Sequence, residues 1–447
     1  MRTNHISIVA IAALISFLAP GVAASQSPGT LSLAQAKSLA RLASPELRAA
    51  REAVTAARGR EFQAKSRTNP ELSYSTERTS GAGQTNRQQI LGVEQRIELG
   101  GQRGSRTSAA RFRTHAAEAR LESALALVEF EVARAYALAV AADRRAALAR
   151  QAAAAFTDAG RVSGQRLAAG DVSVYADRRL RLEAARYGAL EAGANLDRRS
   201  ARVTLSSLVA SNADSIAFIP AILTDSMPDA IPQVTVAALQ SAALRGRSDY
   251  RAASLDVESF SAESRLASRE RTPTPAFFGG FKRESAAGAP ESLTGFAAGI
   301  ALPLPLFDRR RGAIQAADAE VRRATAEREV VRRRISREVL EAFDALAAVE
   351  QQRAVLAPQL GSQSAGALRS AQVAYSEGEI TLVEWLDAVR AYHEAESAYS
   401  DLMAEFLIRR ATLERAVASP LAAALTTEHQ QSILTRTSQT LRPENNR

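Results

Sequence analysis

The chain has 447 residues, 46% apolar and 23% charged, with a formal net charge of +9 and no cysteine. The missing cysteine excludes a disulfide framework, a thiolate metal site and a cysteine nucleophile. Only Lys37, Lys65 and Lys282 are lysines among the 57 basic residues, and the arginines alternate with Asp and Glu instead of forming a tract, so no nucleic-acid partner is expected.

Residues 1–24 read as an export signal. Arg2 and His5 precede the apolar run Ile6–Leu18, and Val22-Ala23-Ala24 supplies the small residues of a cleavage site. That run is short of the ~20 residues that cross a bilayer as a helix. No later stretch of such apolar length follows, so any contact with a membrane is expected through strands.

A first helix is expected over Leu31–Ser66. Strands follow at about 70–79 and 90–99. In Pro70–Arg78, Leu72 and Tyr74 alternate with Glu71, Ser73 and Glu77, and the polar loop Ser80–Arg87 separates this run from Ile90–Leu99. Arg106–Ala169 contains no proline, which predicts a rod of about 90 Å at 1.5 Å per residue. The second hairpin is expected at about 275–283 and 293–303, with Phe277, Phe281, Phe296 and Ile300 on its apolar face. Each strand has the length that a tilted membrane strand needs. In the last helix Leu382, Trp385, Val389, Tyr392, Glu396, Tyr399, Met403 and Phe406 step by three and four, a coiled-coil seam with one polar member. The matching first-half seam is Leu182, Ala185, Ala189, Ala192 and Leu196.

The order of elements is written twice. Leu31–Ala50 aligns with Val234–Ala253, and Gly170-Asp171-Val172-Ser173 aligns with Gly378-Glu379-Ile380-Thr381. The expected layout is therefore a first repeat at 25–210, a proline-bearing linker at 211–233, a second repeat at 234–418 and a tail at 419–447. Each repeat is mainly α with a small β part: helix, hairpin, two long helices. In both Gly-acid-aliphatic-Ser/Thr strings, glycine can end one helix in a left-handed cap and Ser173 or Thr381 can start the next. Four strands cannot close a membrane barrel and eight would be filled by side chains, so a pore requires three or more chains.

Glu94-Gln95-Arg96-Ile97-Glu98-Leu99-Gly100-Gly101-Gln102-Arg103, with Asn69-Pro70-Glu71-Leu72 before it and Leu302-Pro303-Leu304-Pro305-Leu306-Phe307-Asp308-Arg309 in the second half, resembles the TolC-type outer-membrane factors. Within them it resembles the heavy-metal, cobalt–zinc–cadmium branch. The resemblance implies a homotrimer with a 12-stranded outer-membrane barrel, four strands per chain, on an α-helical periplasmic tunnel. It implies a passive exit duct working with a periplasmic adaptor and a proton-driven inner-membrane transporter, with no catalytic residues, metal ligands or cofactor of its own. Gly100, Gly101, Pro303 and Pro305 would mark the barrel-to-helix transition, placing Arg103, Arg106 and Arg309–Arg311 near lipid headgroups; a solvated collar without lipid contact is the plain alternative. Gly170, Asp171, Ser173, Gly378, Glu379 and Thr381 would form the tip turns that meet the adaptor. Glu384 and Asp387, three apart on one helix face, would line the periplasmic gate as a ring of carboxylates; a solvated acidic face is the plain alternative. The first-half copy has Ala176 and Arg179 at these places. Drug efflux, type I secretion and a periplasmic coiled-coil scaffold or adaptor are the competing functions.

Overall fold

In this computed structural model the described residues are 31–81, 84–209, 235–286, 291–356, 358 and 362–419. The export signal, the linker and all but the first residue of the tail lie outside them. Ser32 caps α1 (Leu33–Ala43) through a reciprocal pair with Gln35. The expected single helix then breaks, because Pro45 disfavours helical geometry at Ser44. Ser44 caps α2 (Pro45–Lys65), with proline at the helix start, where no N–H is needed. The second half repeats the break 203 residues later, between α5 (Val236–Gly246) and α6 (Ser248–Arg269). There Arg247 replaces the serine cap. Only 8% exposed, it binds Asp249 through both guanidinium arms and Glu338 through Nη1 at 2.5 Å.

The strands are β1 (Glu71–Gly81), β2 (Gln84–Arg96), β3 (Ala276–Ala286) and β4 (Leu293–Ala301), in one antiparallel sheet of order β1-β2-β3-β4. The ladder of the first hairpin extends through most of the expected loop, to the pair Gly81↔Gln84. Backbone pairing does not require apolar side chains, and the Ser80 and Thr85 hydroxyls bond to each other at 3.2 Å. β2 ends at Arg96 and β4 at Ala301, each short of its expected end, as the chain turns toward the helices. The two hairpins join through β2 and β3, and β1 and β4 are left as edges within the chain.

Beyond the sheet lie α3 (Gln102–Ala169), α4 (Val174–Val209), α7 (Arg311–Leu356), α8 (Ser362–Glu377) and α9 (Leu382–Val417). The 68 residues of α3 span about 100 Å. Alanines 139, 142, 146, 149, 152, 153 and 159 are buried along it, so neighbouring backbones approach closely. The second half lacks an equally continuous rod. Pro358 lies between α7 and α8, where it removes an amide donor and would clash with the preceding turn. Three core clusters fill the bundle: α5, α7 and α9 around Ile335 and Leu413; α1, α3 and α4 around Val132 and Leu205; and α3, α4 and α9 around Phe156 and Leu386.

The α9 seam is inward-facing as expected, with Val389, Glu396, Met403 and Phe406 buried. The α4 seam is not. Leu182 and Leu196 are 70% and 59% exposed, and α4 instead buries Leu180, Tyr187 and Leu205 within the chain. The helix has two apolar faces, and spacing alone did not distinguish them.

Candidate functional site

At the far end of the long helices each half turns back on itself through the same device. Gly170 and Gly378 adopt φ of 84° and 78°. The next amide reaches back five residues, Asp171 N–H to the Arg166 carbonyl and Glu379 N–H to that of Ala374, both at 2.9 Å. This pattern satisfies carbonyls that a helix end leaves open, and the left-handed φ favours glycine. Ser173 Oγ then accepts from Ala176 N–H at 3.2 Å, and Thr381 Oγ1 from Glu384 N–H at 3.3 Å.

The two turns differ in one respect. The Glu384 carboxylate accepts from the Thr381 amide at 2.7 Å and from its hydroxyl at 2.9 Å, completing a capping box. These bonds, the backbone one first, hold its carboxyl below the usual range. Thr-x-x-Glu is the sequence signature of that box, so this role was present in the sequence alongside the proposed gate role. Ala176 has no side chain to do the same in the first half. Asp387 is 62% exposed and pairs with Arg390 at 3.2 Å, and Arg390 also reaches Glu183 of α4 at 3.5 Å. Glu384 and Asp387 thus lie close together at the start of α9, each with a partner in its own chain. The Arg390–Glu183 contact ties the two tip hairpins together. Single-sequence reading missed it, since neither residue belongs to a motif.

Around these residues an open crevice of about 690 Å³ separates the hairpins, lined by Phe156, Tyr175, Arg179, Tyr375, Asp387 and Arg390. Tyr375 stacks on Trp385 and Phe156 on Tyr187, which stiffens each side. His393 packs edge-on against Tyr187 with ring centroids 6.0 Å apart.

At the sheet end, register settles which side chains share a face. Tyr74 pairs with Leu91, Leu91 with Phe281 and Phe281 with Phe296; Leu72 pairs with Val93, and Phe277 with Ile300. Directly paired residues point to the same side. All six side chains expected to face lipid, Leu72, Tyr74, Phe277, Phe281, Phe296 and Ile300, are therefore on one face. The opposite face carries Glu71, Ser73, Ser75, Glu77, Glu94, Lys282 and Glu284, with Gly92, Gly280 and Gly295 among them. Phe278 also lies on that face, and its ring covers Gly92 so closely that a Cβ there would sit 2.4 Å from it.

At the strand exits, Gly101 (φ 73°) opens α3, and Gln102 Nε2 binds the carbonyls of Arg269 and Thr272. A Cβ on Gly100 would stand 2.8 Å from Thr272. Pro303 and Pro305 lie in the irregular passage from β4 to α7. Arg106 is engaged by both Glu98 oxygens and by the Ala64 and Ser66 carbonyls, and Arg103 by that of Lys65. These two arginines join the transition together within the chain. Arg310 likewise pairs with Glu270 at 2.6 Å.

The sequence model of the outer membrane efflux protein family matches residues 36–211 and 239–419. The chain belongs to that family. As an outer membrane efflux protein it is a channel of the outer membrane that extends into the periplasm. It is 26% identical over 421 residues to the cobalt-zinc-cadmium resistance protein CzcC of Cupriavidus metallidurans, covering 90% of this chain and 96% of that one. It is also similar to the nickel-cobalt-cadmium resistance protein NccC of Alcaligenes xylosoxydans xylosoxydans, at 28% over 263 residues, 57% of this chain and 55% of that one. A crystallised membrane protein of Pseudomonas aeruginosa shares the fold of this efflux protein, with a TM-score of 0.70 at 23% identity over 86% of this chain and 92% of that one. Among the described residues no helix is long and apolar enough to cross a membrane.

Proposed function

We propose that three copies of the chain form a passive outer-membrane exit duct for heavy-metal cations, fed by a proton-driven inner-membrane transporter through a periplasmic adaptor. The sheet supports the duct most directly. It has one apolar face, one polar face, and the two edges β1 and β4, which lipid cannot satisfy and further copies can. With the apolar face outward, the lumen receives Glu71, Glu77, Glu94 and Glu284 against Arg96 and Lys282. Glu94 pairs with Arg96 at 3.7 Å and Glu284 with Lys282 at 3.2 Å, which leaves an acidic excess suited to cations. The metal substrate rests on the similarity to CzcC and NccC. The tip turns would meet the adaptor, and Glu384 with Asp387 would line the gate between them. Deleting the gene should raise cellular zinc, cobalt or cadmium and lower tolerance to those salts, with plasmid-borne protein restoring both. Unchanged metal content with lost tolerance to organic drugs, or with lost protein secretion, would contradict the metal assignment.

A further inference from the structure

The outer face of the sheet changes character toward its hairpin loops. Above the row Tyr74–Leu91–Phe281–Phe296 comes Thr76–Gln89–Arg283–Thr294, and above that Arg78–Arg87–Ser285. Arg78, Arg87 and Arg283 are exposed and occupy the same face as the apolar belt. No acidic residue of the described strands shares that face. At this end Glu77 and Glu284 are on the other one, where Glu284 is held by Asn86 and Lys282.

Arg78 and Arg87 are direct cross-strand partners. Like charges so placed repel one another, and among the described residues neither has a carboxylate partner. Arg283 donates from Nε to Ser292 Oγ, leaving its terminal nitrogens for another group. Three guanidinium groups thus stand next to each other on the rim of a lipid-facing surface, on the side away from the helices. The planar donor fork of arginine matches phosphate oxygens two at a time.

We propose that Arg78, Arg87 and Arg283 form a docking site for the anionic phosphates of outer-leaflet lipid, anchoring the barrel at its exterior rim. The inference rests on the duct reading, which puts this face toward lipid and this end outside the cell. Charge complementarity selects the occupant: three cations, no carboxylate among the described strand residues of that face, and an apolar floor suit a phosphorylated lipid.

The test is titration of the detergent-solubilised protein with lipid A, with bound lipid counted by native mass spectrometry. Wild type is expected to bind lipid A and to discriminate against its dephosphorylated form. R78Q/R87Q/R283Q should bind roughly a hundredfold more weakly, a loss of about a factor of five per arginine. The corresponding triple lysine variant should retain most of the affinity, and Arg96→Gln on the inner face should change nothing. Inorganic phosphate in millimolar excess should not displace the lipid. Should the triple glutamine variant fail to assemble, Arg87→Gln alone, expected to bind about fivefold more weakly, carries the same test. Equal affinity in wild type and glutamine variants, no preference for phosphate, or full displacement by inorganic phosphate would overturn the proposal. Heat-modifiable gel migration separates this from the duct itself. A normal barrel indifferent to lipid phosphate overturns the docking site alone, whereas a wild-type protein that forms no barrel overturns both.

Discussion

Glu384 shows how one side chain can carry two demands. Its carboxylate closes the capping box that starts α9, and by our proposal it also contributes charge to the gate. Glutamine retains the acceptor that the box needs and removes the charge, so Glu384→Gln isolates the electrostatic role, while alanine would also loosen the helix start. With Asp387→Asn added, cation selectivity in planar bilayers should fall and block by divalent cations should weaken. Selectivity equal to wild type in an intact assembly would return both residues to a solvated acidic face. His393 gives a pH-dependent prediction. Burial pushes its imidazole below the ordinary value, against a weaker upward pull from Glu394. The unfolded chain therefore takes up the proton first as pH falls. The stability contributed by neutral His393 is complete above about pH 6.5 and is lost below it. Thermal unfolding should thus soften more steeply from about pH 7.5 to 5.5 in wild type than in His393→Phe; identical slopes would contradict this.

Helices and strands differed in how much of them the sequence disclosed. The tip turns were legible because a left-handed glycine followed by a capping hydroxyl is a local device, and it occurs at 170–173 and again at 378–381. The apolar set expected to face lipid was legible from the period of two, and the register puts its members on one face. The Ser44-Pro45 break and the division at Pro358 were also marked by proline, but a long helical period on both sides obscured them. The exposed α4 seam could not have been resolved from spacing, since Leu182 and Leu180 belong to two competing apolar stripes. The Arg390–Glu183 contact and the Arg247 cluster depend on tertiary placement and leave no local signal. For the sheet, Phe281→Asp or Ile300→Asp should impair membrane assembly, because a charge facing hydrocarbon near the midplane is destabilising, for a carboxylate by less than the about 2–4 kcal/mol of a basic side chain. Gel migration after insertion into vesicles reads this out. Normal insertion of either variant would mean that the faces are assigned the wrong way round.

In the complete molecule, the α4 seam and the sheet edges make the same demand. Leu182, Ala185, Ala189, Ala192 and Leu196 form a coiled-coil stripe left exposed by the described residues of the chain. β1 and β4 likewise carry backbone groups that hydrocarbon cannot satisfy. A closed ring of identical chains meets both demands, joining β4 of one copy to β1 of the next and covering the α4 stripes with neighbouring helices. Twelve strands are the smallest such ring with an open lumen, since eight would be filled by side chains. The molar mass of the protein in mild detergent, measured by light scattering with the detergent contribution subtracted, tests this account most directly. It predicts the mass of three chains. A folded monomer with intact secondary structure, or a dimer, would contradict it.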